Sequence, residues 1–236
     1  YLVKPINREV FLRAVRNAAR VKDLIDQKTA LEQANLVYQR NLELIVEQRT
    51  NELQGAMQSI ISLLSSVVET RDPYTAGHQR RVGNLSVAIA GKMGLDGKTT
   101  GLLRIIGYIH DIGKISVPTE ILSKPGKLNP IELMMIQNHP AAGYDMLMKV
   151  DLPAIVNETI FQHHERCDGS GYPRGLKKGE ITMEAQIIMV ADVVEAMMSH
   201  RPYRPALGIE AAMEEIGANG AGRYNPDVVA ACSSRS

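Results

Sequence analysis

All six histidines of the chain, His78, His110, His139, His163, His164 and His200, fall within one stretch of the sequence, and five of them keep suggestive company. His110 and Asp111 are neighbours and run into Ile112, Gly113 and Lys114. His163 and His164 precede Glu165 and then Asp168-Gly169-Ser170-Gly171-Tyr172-Pro173-Arg174-Gly175. Asp192 stands in the apolar run Met189 to Val194, where an ionised carboxylate is costly unless it is paired or bound to a metal. Singly, each has a plainer reading: a lone histidine on a helix is ordinarily a satisfied core or surface residue, a His-Asp pair can cap a helix, and a glycine-rich run is a turn. Five histidines and two aspartates spread over separate helices are harder to explain that way. Neutral imidazoles with carboxylates suit borderline divalent ions such as Fe, Mn, Ni or Zn. Lys114, three residues beyond Asp111, reaches the same helical face.

The elements that must position these groups read as helices. After Asp72 and Pro73 the chain breaks into segments separated by Gly and Pro, with helical length and period over Val82–Met93, Gly101–Asp111, Pro130–Val150, Asp151–Arg166 and Met183–Ser199. Nothing after residue 6 alternates as a strand, so an all-α fold is expected. From Glu9 to Val68 there is no proline; Leu24, Leu31, Tyr38 and Ile45 recur every seven residues, and Leu53, Met57, Ile60, Leu64 and Val67 alternate by four and three. These are coiled-coil spacings, and the change of register near Arg49 reads as a stutter. Lys28 and Asn35 at seam positions weaken the first half. The favoured reading is a two-stranded parallel coil that makes a homodimer; the other is a long helix packed back on its own domain.

Composition narrows the classes. The chain has 236 residues, 44% hydrophobic and 22% charged, which excludes a disordered polymer. A net charge of +1 gives no basic field for DNA. No run is long and apolar enough for a membrane span, and no signal peptide opens the sequence. Two cysteines, Cys167 and Cys232, make no disulfide framework and fit a reducing compartment, so a cytoplasmic location is expected.

The motifs together resemble the HD-GYP family, a branch of the HD metal-dependent phosphohydrolases. The resemblance is carried by Asp72-Pro73-Tyr74-Thr75-Ala76-Gly77-His78-Gln79-Arg80-Arg81-Val82, by His110-Asp111-Ile112-Gly113-Lys114, and by Asn138-His139-Pro140. It continues through His163-His164-Glu165 with the glycine-rich loop, and through Ala191-Asp192 to Arg201-Pro202-Tyr203-Arg204. It covers residues 65–232, an HD-type helical domain. It implies one metal on His78, His110, Asp111 and Asp192 and a second on a bridging Asp111 with His139, His163 and His164. Asp111 and Lys114 would serve catalysis directly. Where some members use a glutamate for a third metal this chain has Tyr74, so two ions are expected. The resemblance further implies substrate contacts from Asp72, Lys114, Tyr172, Glu195, Arg201 and Arg204, with Arg201 and Arg204 on phosphate and Asp72 and Glu195 on the guanine bases. Members often carry aspartate at position 195, so the longer Glu195 sets this chain apart there.

The implied activity is hydrolysis of cyclic di-GMP to pGpG and onward to GMP, with cyclic GMP-AMP as a related substrate. The alternatives are a catalytically weak regulatory module acting through protein contacts or cyclic-dinucleotide sensing, and a generic HD nucleotidase. Contacts with GGDEF or PilZ-type proteins belong to the same family expectation. Tyr1 to Ile6 resembles the last strand of a response-regulator receiver, with Lys4 as its lysine; residues 1–20 would then be a receiver remnant under control of a sensor kinase. The helix of residues 9–68 would transmit that state to the catalytic domain.

Overall fold

The computed structural model describes residues 7–72, 77–199, 206–217 and 222–234. Among them the fold is all-α: no strand is present, only an isolated antiparallel bridge between Asp168 and Lys177. The Tyr1–Ile6 segment with Lys4, and Tyr74, His200, Arg201 and Arg204, lie outside the described residues.

The chain divides into two compact units between Met57 and Gln58. Helix α1, Arg8–Arg71, runs through that boundary. Without a proline to break it, it is supported along its surface by i,i+3 and i,i+4 contacts such as Lys28 with Glu32 and Arg49 with Glu52. Every residue from Asn7 to Ile60 is exposed in the single chain, including the heptad residues Leu24, Leu31, Tyr38 and Ile45.

The second unit holds the core. Its helices are α2 (His78–Lys92), α3 (Gly97–Ile109), α4 (Thr119–Leu122), α5 (Pro130–Gln137), α6 (His139–Leu147), α7 (Ala154–Gln162), α8 (Met183–Met198), α9 (Gly208–Ile216) and α10 (Pro226–Ser233), with a 3-10 turn at Ile112–Ser116. Their starts are written locally. Asp96 accepts the backbone N–H of Lys98 and Thr99 to begin α3, Asn129 and Glu132 form a capping box at the start of α5, and Thr182 caps α8. Helix α8, apolar almost all round, is the centre: Ile187, Ile188, Met189, Val190 and Val194 are buried against α2, α3, α7, α9 and α10.

Helices α2 and α3 approach closely because glycines face each other. A Cβ on Gly107 would stand 2.4 Å from Cα of Gly83. That crossing lies near the start of α2 and the end of α3, so it brings His78 and His110 to a ring separation of 5.5 Å.

The expected single span Pro130–Val150 is two helices that meet at Asn138. Pro140 has no N–H to give the carbonyl of Ile136, so α5 stops there. The freed carbonyl is taken by the ring of His139, 2.7 Å away. Helix α7 is likewise shorter than Asp151–Arg166, starting after Pro153 and ending where His163 turns inward.

Candidate two-metal centre

Three of the histidines stand where a helix runs out. His110 is the C-terminal cap of α3, His163 that of α7, and His139 follows the end of α5. The last carbonyls of a helix lack intrahelical partners. Here Nδ1 of each ring donates to the carbonyl three residues back: His110 to Gly107 at 2.9 Å, His139 to Ile136 at 2.7 Å and His163 to Ile160 at 2.6 Å. A carbonyl can only accept, so the proton sits on Nδ1 and Nε2 keeps its lone pair. All three rings are buried and aim Nε2 at the same place.

That place is Asp111, 2% exposed at the head of the 3-10 turn. Its Oδ1 lies 3.1 Å from His139 Nε2 and 3.9 Å from His163 Nε2, while Oδ2 lies 3.6 Å from His110 Nε2. The carboxylate is thus shared between two groups whose ligand atoms lie within 4.8 Å of one another. One is Asp111 with His139, His163 and His164; the other is Asp111 with His78 and His110. Asp192, on α8, adds its Oδ1 at 3.1 Å from His78 Nε2 and 3.9 Å from His110 Nε2. His139 reaches Asp111 because α6 rests directly on the 3-10 turn: a Cβ on Gly113 would meet the His139 carbonyl oxygen at 1.9 Å.

The residues fit divalent ions. Among the described residues His110 Nε2 is buried with no hydrogen-bond partner, a lone pair open to a ligand. Two carboxylates, four further imidazoles and this lone pair form the N/O donor set of a borderline cation.

Electrostatics agree. Burial pushes His163 down to about 3, with the neighbouring His110 and His139 rings adding to it, and burial likewise lowers His110 and His164. These rings are neutral, as ligands must be. In the metal-free chain His78 differs: burial alone would lower it, but hydrogen bonds to Asp192 and Glu195 raise it to about 9, so an ion binding there would displace a proton. Burial would raise Asp111, yet the Lys114 ammonium and surrounding rings hold it well below the usual carboxylate range. Lys114 Nζ sits 2.7 Å from Asp111 Oδ2 and 3.3 Å from Asp72 Oδ2; the two carboxylates outweigh burial and keep it charged.

Tyr172 covers the far side, stacked on His164 with ring centroids 4.8 Å apart. Its loop is tied down by Glu165, whose buried carboxylate accepts the backbone N–H of Arg174 and Leu176 at 2.7 and 2.8 Å. Beside Tyr172 opens a cleft of about 630 Å³ lined by Ser116, Val117, Met134, Met135 and Asn138.

The structure therefore brings together His78, His110, Asp111, His139, His163, His164, Asp192, Lys114, Asp72 and Tyr172. Glu195 is also near, but its carboxylate is engaged by His78 Nδ1, Arg81 and Ser199. Three participants had no role in the sequence reading. Gln79 donates to Asp111 Oδ2 at 3.2 Å, Glu165 anchors the loop, and Arg81 holds Glu195. Gln79 and Arg81 lie in the same motif as His78, and Glu165 abuts His164, so adjacency was their one available signal.

Comparison with known proteins identifies the family. The HD domain family model matches residues 62–228. A cyclic di-GMP phosphodiesterase of Thermotoga maritima is 34% identical over 98% of this chain and 63% of its own length. The cyclic di-GMP phosphodiesterase response regulator RpfG of Xanthomonas campestris pv. campestris is 34% identical over 97% of this chain and 59% of its own. The chain thus spans about three fifths of the length of these curated relatives. Among solved structures, an HDG"Y"P protein from Bdellovibrio bacteriovorus superposes with a TM-score of 0.56 at 24% identity, over 66% of this chain and 50% of that one, a likeness of fold. The chain belongs to the HD domain family, and its histidine, aspartate and Gly-Tyr-Pro motifs place it in the HD-GYP branch.

Proposed function

We propose that this chain hydrolyses cyclic di-GMP to pGpG, and onward to GMP, at a centre of two divalent ions. The observation that carries the reading is the division of Asp111, with one oxygen toward His139 and His163 and the other toward His110. His78, His110, Asp111 and Asp192 would hold one ion, and Asp111, His139, His163 and His164 the other, Fe or Mn ahead of Ni or Zn. Bound there, such ions supply Lewis acidity toward phosphate oxygens and lower the pKa of water toward neutrality.

The chain's own residues supply the rest. Lys114, held charged at the Asp111 edge, presents an ammonium to a phosphate oxygen or to the departing ribose oxygen. Asp72 fixes that ammonium from the other side and is a contact for a guanine base. Tyr172 walls the cleft next to His164 and excludes water from the bound ring. Arg201 and Arg204 would take the second phosphate, the planar guanidinium binding two oxygens at once. Both relatives described above are phosphodiesterases for this substrate by name, which supports the choice of ligand.

In the same reading, α1 pairs with α1 of a second copy as a coiled coil, in the cytoplasm. An upstream receiver under a sensor kinase sets the activity, and GGDEF or PilZ-type proteins are the partners. The match to a response regulator supports the receiver.

The test is turnover by purified protein reconstituted anaerobically with Mn or Fe(II), offered cyclic di-GMP and cyclic GMP-AMP, with products separated. The expected result is metal-dependent ring opening, with kcat lowered about 10²- to 10³-fold by Lys114→Met, as for loss of one preorganised charge donor. No turnover of either substrate by protein carrying both ions would replace the enzyme with a regulatory module.

A further inference from the structure

His78 has a problem that His110, His139 and His163 do not. It is the first residue of α2, preceded by Gly77 in the left-handed conformation. The orphan backbone groups at a helix start are N–H donors rather than carbonyls. The device used by His110, His139 and His163, an Nδ1–H donated to a carbonyl three residues back, belongs to helix ends. Something else must hold the His78 ring.

The partner comes from α8. The carboxylate of Glu195, 5% exposed, contacts His78 Nδ1 through Oε2. Its other oxygen, Oε1, accepts from Arg81 Nε at 2.5 Å and from the Ser199 hydroxyl at 2.5 Å. Arg81 also donates to Ser199 Oγ at 3.1 Å. Glu195 stands three residues after Asp192 on the same helix, so one face of α8 sends one carboxylate to each nitrogen of the His78 ring: Asp192 to Nε2 and Glu195 to Nδ1.

We propose that Glu195, held by Arg81 and Ser199, is the positioning residue of His78: it fixes the ring and its Nδ1–H tautomer so that Nε2 serves the ion shared with His110, Asp111 and Asp192. This rests on the two-metal reading above. A carboxylate acceptor makes the imidazole a stronger donor than a carbonyl does, and loss of such a partner typically costs 10- to 100-fold in metal affinity. The length of the side chain matters as well. Glutamate spans the distance from α8 to α2, with one oxygen on His78 and the other on Arg81 and Ser199.

The experiment uses Mn(II) alone, with no nucleotide. Chelator-stripped wild-type protein, Glu195→Gln and Arg81→Gln are titrated anaerobically, with bound metal counted after gel filtration and the paired ions read by electron paramagnetic resonance. Wild type should take up two ions per chain and show a spin-coupled pair. Glu195→Gln should bind one ion as before and the other about 10- to 100-fold more weakly, so that at intermediate Mn(II) an uncoupled six-line signal replaces the coupled one. Arg81→Gln, at a half-exposed position, should weaken that same ion several-fold. Coupled pairs of unchanged affinity in a folded Glu195→Gln, with only a raised KM for cyclic di-GMP, would overturn the proposal and make Glu195 a base contact. Wild type that binds fewer than two ions would fail the two-metal reading itself, a separate result.

Discussion

Asp111 and Lys114 form a close charge pair in the interior of the centre, 2.7 Å apart. Removing the ammonium leaves Asp111 with Gln79 and the ring of His139, too little for a buried carboxylate. Lys114→Met should therefore destabilise the chelator-stripped protein by about 3 kcal/mol, the lower end for breaking a buried pair, read as a shift of the urea midpoint. The histidines predict the pH profile of the same metal-free protein. His163, lowered to about 3, makes the unfolded chain bind a proton that the folded one refuses, so stability falls as pH drops from about 6.5 toward 3. His78, raised to about 9, runs the other way. Its charged pairing with Asp192 and Glu195 is fully present below about 6.5 and is lost as pH rises to 9. Unfolding midpoints between pH 4 and 9 should peak between these limbs, and a flat profile would contradict the assignment. Residue types alone pointed to Asp111 and the five histidines, because few other groups combine imidazole with carboxylate on apolar helices. Glu195 was legible as a site residue but its contacts with His78, Arg81 and Ser199 were not, since which atom a carboxylate faces is decided by the packing of α8 on α2.

Helices deliver these side chains by where they stop. Pro140 ends α5 and frees the carbonyl that orients His139; the ends of α3 and α7 do the same for His110 and His163. The existence of these helices was readable from period and punctuation. The split of residues 130–150 was not, because Pro140 in the first turn of one helix looks the same in sequence as proline tolerated within a longer span. The contact of α6 with the 3-10 turn was also hidden, as it depends on Gly113 having no side chain. Gly113→Ala should force these segments apart, costing about 1–3 kcal/mol for the overpacking. It should also weaken the ion on the His139 side, measured by Mn(II) stoichiometry beside the thermal midpoint. An alanine variant with native stability and two ions would show that the contact does not position His139.

At the scale of the whole molecule, the heptad residues of α1 leave an apolar seam exposed in a single chain: Leu24, Leu31, Tyr38 and Ile45 are each more than half exposed. A coiled coil buries such a seam in a second copy. Leu31→Glu combined with Tyr38→Glu should turn a dimer into a monomer in sedimentation equilibrium while the helical domain keeps its melting curve. A monomeric wild type would remove the coil from the account. The all-α architecture and the order of the motifs were readable from the sequence because each helix carries its own stop signals. The state of assembly was not, since an exposed apolar stripe does not name its partner.

The most direct measurement of the central claim is turnover of cyclic di-GMP as chelator-stripped protein receives zero, one and two equivalents of Mn(II) under anaerobic conditions, beside Asp111→Asn. If Asp111 joins two ions in one catalytic centre, activity appears chiefly with the second equivalent and stays absent in the variant at any loading. Full turnover at one equivalent, or in Asp111→Asn, would contradict it.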